Sequence, residues 1–281
     1  MKALVTGADG QLGRALLACL GDRAAWSGGR TALDVRDTAA VHRVVFDVRP
    51  DVVFNASAYN NVDGAETETC EALAVNACGP RNLARACRDA GALLVHVSTD
   101  YVFDGGQSRP YTEEDCPRPP NAYGVSKLAG EQLVAASGCA FLTARTSGLF
   151  GAGGNRVKGG SFVDRVLEKA RSGQALKVVA DQVFSPTYAP DLAKALVGLV
   201  EIGARGLFHV TNSGSCSWHG LAVAAIEQAG LKAEVAEIRA RDLLSPARRP
   251  PHSILSKERY ESLGLPQLRA WSEALAEFVT R

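Results

Sequence analysis

The amino-acid sequence predicts an α/β fold: a doubly wound parallel sheet with a smaller, interleaved C-terminal substrate region. Three observations predict it. A short apolar run at 2–6 ends in a glycine turn and passes directly into a helical pattern. Further apolar runs at 51–55 and 92–98 alternate with stretches of helical period. Each clear run has a continuous apolar centre, A-L-V, V-V-F or A-L-L-V, as expected of strands covered on both faces.

Taken in order, 2–6 is the first strand, and 11–20 is a helix with Leu12, Ala15, Leu16, Cys19 and Leu20 on one face. A weak strand at 24–26 and a strong one at 51–55 follow. A helix at 66–75 is expected to break or kink at Gly79-Pro80 and resume over 82–90, because proline lacks the N–H that an interior helical turn needs. Strand 92–98, helix 123–136 and strand 140–145 continue the alternation. After Phe150 a glycine-rich loop at 151–160 leads to an amphipathic helix at 162–171. Residues 177–183 then read as a strand returning to the sheet, 191–202 as a helix after Pro190, and 207–210 as a last strand. The expected division is a dinucleotide-binding domain of 1–150 plus about 177–210. A substrate-binding region of 151–176 and 211–281 interrupts and completes it.

With 281 residues, 46% hydrophobic and 22% charged, the chain has the composition of an ordinary globular protein. Its formal net charge of +1 offers no global field for nucleic acid or an anionic membrane, so neither is an expected partner. The 7 cysteines form no C-x-x-C and no pattern with the 5 histidines, so neither a disulfide scaffold nor a metal site is expected. No apolar run is long enough to span a bilayer, and the N-terminus has no signal-peptide pattern. A reducing cytoplasm fits.

Residues 6–13 read T-G-A-D-G-Q-L-G, with Gly7, Gly10 and Gly13 spaced three and three between strand and helix. Glycine permits the tight turn and a close backbone approach to a pyrophosphate, while Gln11 and Leu12 open a helix whose free N–H groups face the phosphates. Such a turn also occurs for packing alone. Asp34 and Val35, after the second strand, would set a carboxylate and a backbone edge near an adenine. Asn55, Ala56, Ser57 and Ala58 follow a buried strand and leave room for a ribose. No acid ends the second strand, whereas Arg30 lies just beyond it and would accept a 2′-phosphate, so NADP is favoured over NAD.

Tyr123 and Lys127, in Y-G-V-S-K, stand four apart on one helical face. A phenol titrates near 10, and a neighbouring ammonium is expected to lower that value and make Tyr123 a usable general acid. Thr99, at the carboxyl end of the 92–98 run, can hydrogen-bond the same substrate oxygen. Arg248 and Arg249 carry guanidinium forks suited to a diphosphate, and equally suit a solvated loop.

These residues resemble the extended short-chain dehydrogenases, which have a Rossmann-type fold, and within them the dTDP-4-dehydrorhamnose reductases. The resemblance runs through T-G-A-D-G-Q-L-G, N-A-S-A-Y-N-N-V-D-G-A-E, V-N-A-C-G-P, S-T-D-Y-V-F-D-G, Y-G-V-S-K-L-A-G-E, R-T-S-G-L-F-G, D-Q-V-F-S-P-T and R-P-P-H-S-I-L. It implies NAD(P)H-dependent reduction of the C4 ketone of a dTDP-linked 6-deoxyhexose, with Thr99, Tyr123 and Lys127 as the catalytic trio. It further implies that Lys127 holds the nicotinamide ribose, that Ser98 lies on the cofactor side, and that Asp100, Val102, Phe103, Gly148, Phe162 and Arg249 lie on the sugar side.

The chain departs from the family pattern at three places on that sugar side. Gly148 stands where familiar members carry tryptophan after R-T-S, Gly159-Gly160-Ser161-Phe162 where many carry G-G-N-F, and Phe184 where glycine is common in D-Q-x-G-x-P-T. Ala15 replaces the glutamate through which some members build a metal-linked dimer, so no metal is carried over, and a homodimer stays an open expectation. A dehydratase would need an acid after Asp100, where this chain has Tyr101. A 4-epimerase, which retains its cofactor, remains an alternative, as does the non-catalytic dinucleotide-binding regulatory subunit of methionine adenosyltransferase.

Overall fold

The structure is a computed structural model that describes residues 1–153 and 160–281. The first half runs β1 (Ala3–Thr6), α1 (Gln11–Leu20), β2 (Ala24–Gly28), α2 (Thr38–Val48), β3 (Val52–Asn55), α3 (Thr69–Leu73), α4 (Gly79–Ala90), β4 (Leu93–Thr99), α5 (Ala122–Ala135) and β5 (Phe141–Thr146). The rest runs β6 (Leu149–Phe150), α6 (Phe162–Arg171), β7 (Leu176–Val179), β8 (Val183–Phe184), β9 (Thr187–Tyr188), α7 (Ala189–Glu201), β10 (Gly206–His209), β11 (Cys216–Ser217), α8 (Trp218–Gln228), β12 (Val235–Ile238), α9 (Glu258–Glu261) and α10 (Trp271–Val279). Among the described residues no helix is long and apolar enough to cross a membrane.

Six strands form one parallel sheet in the order β10-β5-β4-β3-β1-β2. The alternation of side chains along a strand explains its two covers. Ala3, Val5, Val52, Phe54 and Val95 point to one face and pack with Leu12 and Leu16 of α1 and Leu192 and Leu196 of α7. Leu4, Val53 and Leu94 point to the other and pack with Val41 and Val45 of α2 and Leu83 and Cys87 of α4. The strand order reverses at β1, with β2 on one side and β3 on the other, so a crevice opens beyond the carboxyl ends of β1 and β3.

Two expectations need correction. The helix does not break at Gly79-Pro80: a π-helical stretch, Ala74–Cys78, joins α3 to α4, and Pro80 sits in the first turn of α4. A wide turn there, followed by proline where an N–H is spare, keeps the path helical. Residues 177–183 do not return to the six-stranded sheet. They form β7, which pairs in parallel with β12, and the start of β8, which pairs antiparallel with β11. The partner strands lie late in the chain and carry the segment away from the sheet.

The remaining elements gather around Phe150, Val163, Leu167, Phe184, Tyr188, Leu221 and Leu275. Helix α6 starts as the sequence indicates, with Ser161 Oγ accepting from the Asp164 N–H and Asp164 Oδ2 accepting from the Ser161 N–H. The glycine-rich loop expected at 151–160, including Gly159, lies for the most part outside the described residues.

Candidate active site

A crevice of about 620 Å³ runs over the carboxyl ends of the central strands. One end is built from the β1–α1 turn. Gly7 has φ +67, and a Cβ there would lie 2.6 Å from the carbonyl carbon of Ala56. A Cβ on Gly13 would fall 2.2 Å from the Gly7 carbonyl oxygen, so both glycines are needed for turn, helix and neighbouring loop to touch. No side chain caps α1, and Gly10, Gln11 and Leu12 at its open N-terminus line the crevice.

Across from them, Ala56, Ser57 and Ala58 form a wall of small residues. Asn55 sets that wall: its Oδ1 accepts from the Thr6 hydroxyl at 2.9 Å and the Ser57 N–H at 3.1 Å, and its Nδ2 donates to His96 Nδ1 at 3.2 Å. His96 is fully buried, and desolvation first, then the charge of Lys127, holds its pKa well below the usual value.

Thr99 ends β4, Tyr123 lies in the first turn of α5, and Lys127 follows one turn later. All three line the crevice. Asn121 caps α5 by accepting from the Gly124 N–H, and its Nδ2 donates to the Arg248 carbonyl at 2.7 Å, tying the helix start to residues 248–256, an extended C-terminal strap. A Cβ on Gly124 would come within 2.2 Å of the Tyr101 carbonyl oxygen, so Tyr123 is pressed against the segment after Thr99.

The electrostatics differ from the sequence expectation. Burial, then the charge of Asp100, pushes the Tyr123 phenol up to about 12, against a hydrogen bond with Thr99 that lowers it. Lys127 does not pull it down: its Nζ donates to the Val97 carbonyl at 2.6 Å, and desolvation lowers its own pKa to about 8 although Glu131 opposes the shift. Burial raises Asp100 to about 6, while Ser253, Ser147 and Thr99 hydroxyls act against it. Asp100 Oδ2 accepts from Ser253 at 2.6 Å and Ser147 at 2.7 Å, and Oδ1 from Thr99 at 3.1 Å. Ser253 arrives there because the strap bonds β8 through Val183 and Pro251, and Tyr111 through Ile254.

The crevice brings together Gly10, Gln11, Leu12, Asn55, Ala56, Ser57, Ala58, Ser98, Thr99, Asp100, Tyr123, Lys127, Gly148, Phe162 and Arg249. Gly7 shapes its turn without lining it. Arg30, Asp34 and Val35 are not in its walls: exposed Arg30 pairs with Glu71 at 3.2 Å, and Val35 packs in the core under α4. Asp34 is held at about 2, chiefly by its hydrogen bonds with Arg36. Val102 and Phe103 are a correction. A turn of 3-10 helix after Thr99 carries them inward, where both are fully buried against Tyr111 and Leu255 and have no surface to offer a sugar. Arg249 reaches the crevice with its guanidinium paired to Asp63 at 2.9 Å.

The residues present fit a dinucleotide. The uncapped α1 N-terminus offers N–H groups to a pyrophosphate. The Gly7 cradle leaves no room for a side chain. The buried ammonium of Lys127 has three N–H donors, one of them on Val97.

The sequence profile of the family described as "RmlD substrate binding domain" matches residues 1–281. The chain belongs to that family. This RmlD-family chain is 40% identical over 286 residues to a dTDP-4-dehydrorhamnose reductase from Streptomyces griseus, covering 98% of this chain and 91% of the relative. It is 41% identical to one from Mycobacterium tuberculosis, with 98% and 91% covered. A solved dTDP-4-dehydrorhamnose reductase from Bacillus anthracis in complex with NADP superposes with a TM-score of 0.95 at 36% identity, covering 100% of this chain and 99% of that one.

Several residues at the RmlD-family site escaped the sequence. Asn76, in the π-helical stretch, accepts from the Tyr59 N–H at 2.8 Å and donates to Ser126 Oγ at 2.9 Å, joining the loop after β3 to α5. An asparagine inside a helix was the only signal. Arg165, Lys177, Gln182 and Trp218 also line the crevice. They come from elements that meet it only through tertiary packing.

Proposed function

We propose that the protein reduces the C4 ketone of a dTDP-linked 6-deoxyhexose, converting dTDP-4-dehydro-L-rhamnose to dTDP-L-rhamnose with NADPH. The sheet side would hold the dinucleotide, and the part built from α6, α8, α10 and the strap the sugar nucleotide. The observation that carries the reading is the convergence of Thr99, Tyr123 and Lys127 on one crevice that also passes the open end of α1. The relatives' names supply the sugar and the neighbouring structure the dinucleotide.

Gly10, Gln11 and Leu12 would hold the pyrophosphate, Ala56, Ser57 and Ala58 would flank a ribose, and Lys127 would hold the nicotinamide ribose. When bound, the reduced nicotinamide supplies the hydride. Tyr123 orients the ketone through a hydrogen bond to its oxygen, and Thr99, whose one hydroxyl proton goes to Asp100, is the fixed neighbour against which the phenol is set. As charge grows on that oxygen, the Tyr123 phenol gives it a proton. Tyr123 arrives loaded, since a phenol near 12 is protonated throughout the physiological range. The reading includes a reducing cytoplasm, where the seven free cysteines stay thiols.

The test is NADPH oxidation with dTDP-4-keto-6-deoxy-L-mannose against a panel of related keto sugars. Stoichiometric consumption of NADPH supports reduction, and cofactor retained through repeated turnovers would replace it with epimerisation.

A further inference from the structure

A side chamber of about 230 Å³ opens beside Thr99 and Tyr123 and shares Asp100, Gly148 and Trp218 with the main crevice. Its lining divides by chemistry. Asp100, Ser147 and Gln182 offer hydrogen bonds, whereas Leu149, Val183, Phe184 and Trp218 are apolar. Trp218 is set there by backbone pairing: β11 runs antiparallel to β8 with Cys216 opposite Phe184, and α8 begins at the next residue after β11. Its indole stacks on Phe184 at 4.0 Å and 30°, and Phe162 meets it edge-on at 4.8 Å. Phe184 is buried behind the indole, while Trp218 keeps part of its surface open.

Gly148 makes this stack possible. It has φ +50, and a Cβ there would lie 2.1 Å from Cε2 of Phe184. The ring of Phe184 therefore fills the space a side chain at 148 would take. In this chain the aromatic ring at this point comes from β8, and glycine at 148 leaves it the room.

We propose that Trp218, held by Phe184 as its positioning residue, is the specificity-determining wall for the apolar C5–C6 edge of a nucleotide-linked 6-deoxyhexose. This rests on the reading of the site as one for a sugar nucleotide. A methyl group at C6 leaves water against an aromatic face at no polar cost. A hydroxyl at C6 would lose its water against aromatic faces that offer its proton no acceptor. The ring hydroxyls meet Asp100, Ser147 and Gln182, so the chamber orients the sugar as well as selecting it.

The experiment measures binding, which needs no turnover. Wild type, Trp218→Leu, Trp218→Phe and Phe184→Leu are titrated calorimetrically with dTDP-L-rhamnose, its 6-hydroxy counterpart dTDP-L-mannose, and dTDP alone. Wild type is expected to favour the 6-deoxy sugar by about 10-fold or more, the usual scale for a small group in an apolar pocket. Trp218→Leu should abolish that preference while leaving the affinity for dTDP unchanged, and Phe184→Leu should reduce it. Trp218→Phe keeps an aromatic face and should keep most of the preference, which separates loss of the wall from loss of the fold. Retention of the wild-type preference in Trp218→Leu overturns the assignment. So does an equal loss of affinity for dTDP and for both sugars. A wild type that binds with this preference but reduces no keto sugar would leave the wall standing and remove the reductase reading.

Discussion

Ser253 donates its hydroxyl hydrogen bond to Asp100 Oδ2 at 2.6 Å, joining the C-terminal strap to the end of β4 across 153 positions of sequence. The bond opposes the burial that lifts Asp100 to about 6, and ionised Asp100 in turn accepts from Thr99. Ionised Asp100 therefore fixes the Thr99 hydroxyl, and kcat/KM should fall as pH drops through 6. A hydrogen bond to a charged acceptor is worth roughly 1.5–3 kcal/mol and a pKa unit about 1.4 kcal/mol, so Ser253→Ala should move this acid limb up by roughly one to two units. A pH–rate profile that does not move would break the link. For stability the sign is opposite. The folded value of about 6 exceeds the reference 3.8, so Asp100 favours folding below pH 3.8 and that contribution is lost as pH rises through 6.

Tyr123→Phe removes the proton donor and leaves the ring. Turnover should drop by about 10²-fold or more, the usual contribution of a positioned general acid. The Kd for NADPH, read by fluorescence titration, should stay near wild type. Because Tyr123 is held near 12, the basic limb of the wild-type profile belongs to Lys127, near 8. That limb should therefore persist in the residual activity of Tyr123→Phe.

How much of this was legible depends on how local each feature is. The Gly7 turn and the Tyr123/Lys127 spacing were readable because φ preference and the helical period are properties of neighbours in sequence. The destination of 177–183 was not, since its partner β12 lies far along the chain. Val102 and Phe103 were misplaced because they adjoin a site motif, and nothing in the residues themselves signals that a short turn sends them into the core. Asn76 and Ser253 act through partners 50 and 153 positions away, and only the folded chain brings those partners together.

Gly7→Ala tests the turn. A Cβ at φ +67 is strained, and 2.6 Å from the Ala56 carbonyl carbon it forces the small-residue wall away from the turn. The variant should lose about 1–3 kcal/mol of stability. It should also bind NADPH at least about 10-fold more weakly, each 1.4 kcal/mol being a factor of ten. Thermal melting and equilibrium titration read the two effects separately, and normal affinity would show that the cradle does not hold the dinucleotide.

Lys127→Met tests whether function strains the fold. The folded pKa of about 8 lies below the reference 10.5, so at pH 7 the ammonium is kept charged against its burial. The unfolded chain binds the proton more tightly between those values, so stability from this group rises as pH climbs from 8 to 10.5. Methionine keeps the length of the side chain and removes the charge, at the loss of one hydrogen bond to the Val97 carbonyl. The variant should be more stable than wild type at pH 7 by about 1–3 kcal/mol in urea unfolding, with the gap closing above pH 10. Its reductase activity should collapse. A variant less stable than wild type at pH 7 would mean that the bond to Val97 outweighs desolvation, and that Lys127 supports the fold it now burdens.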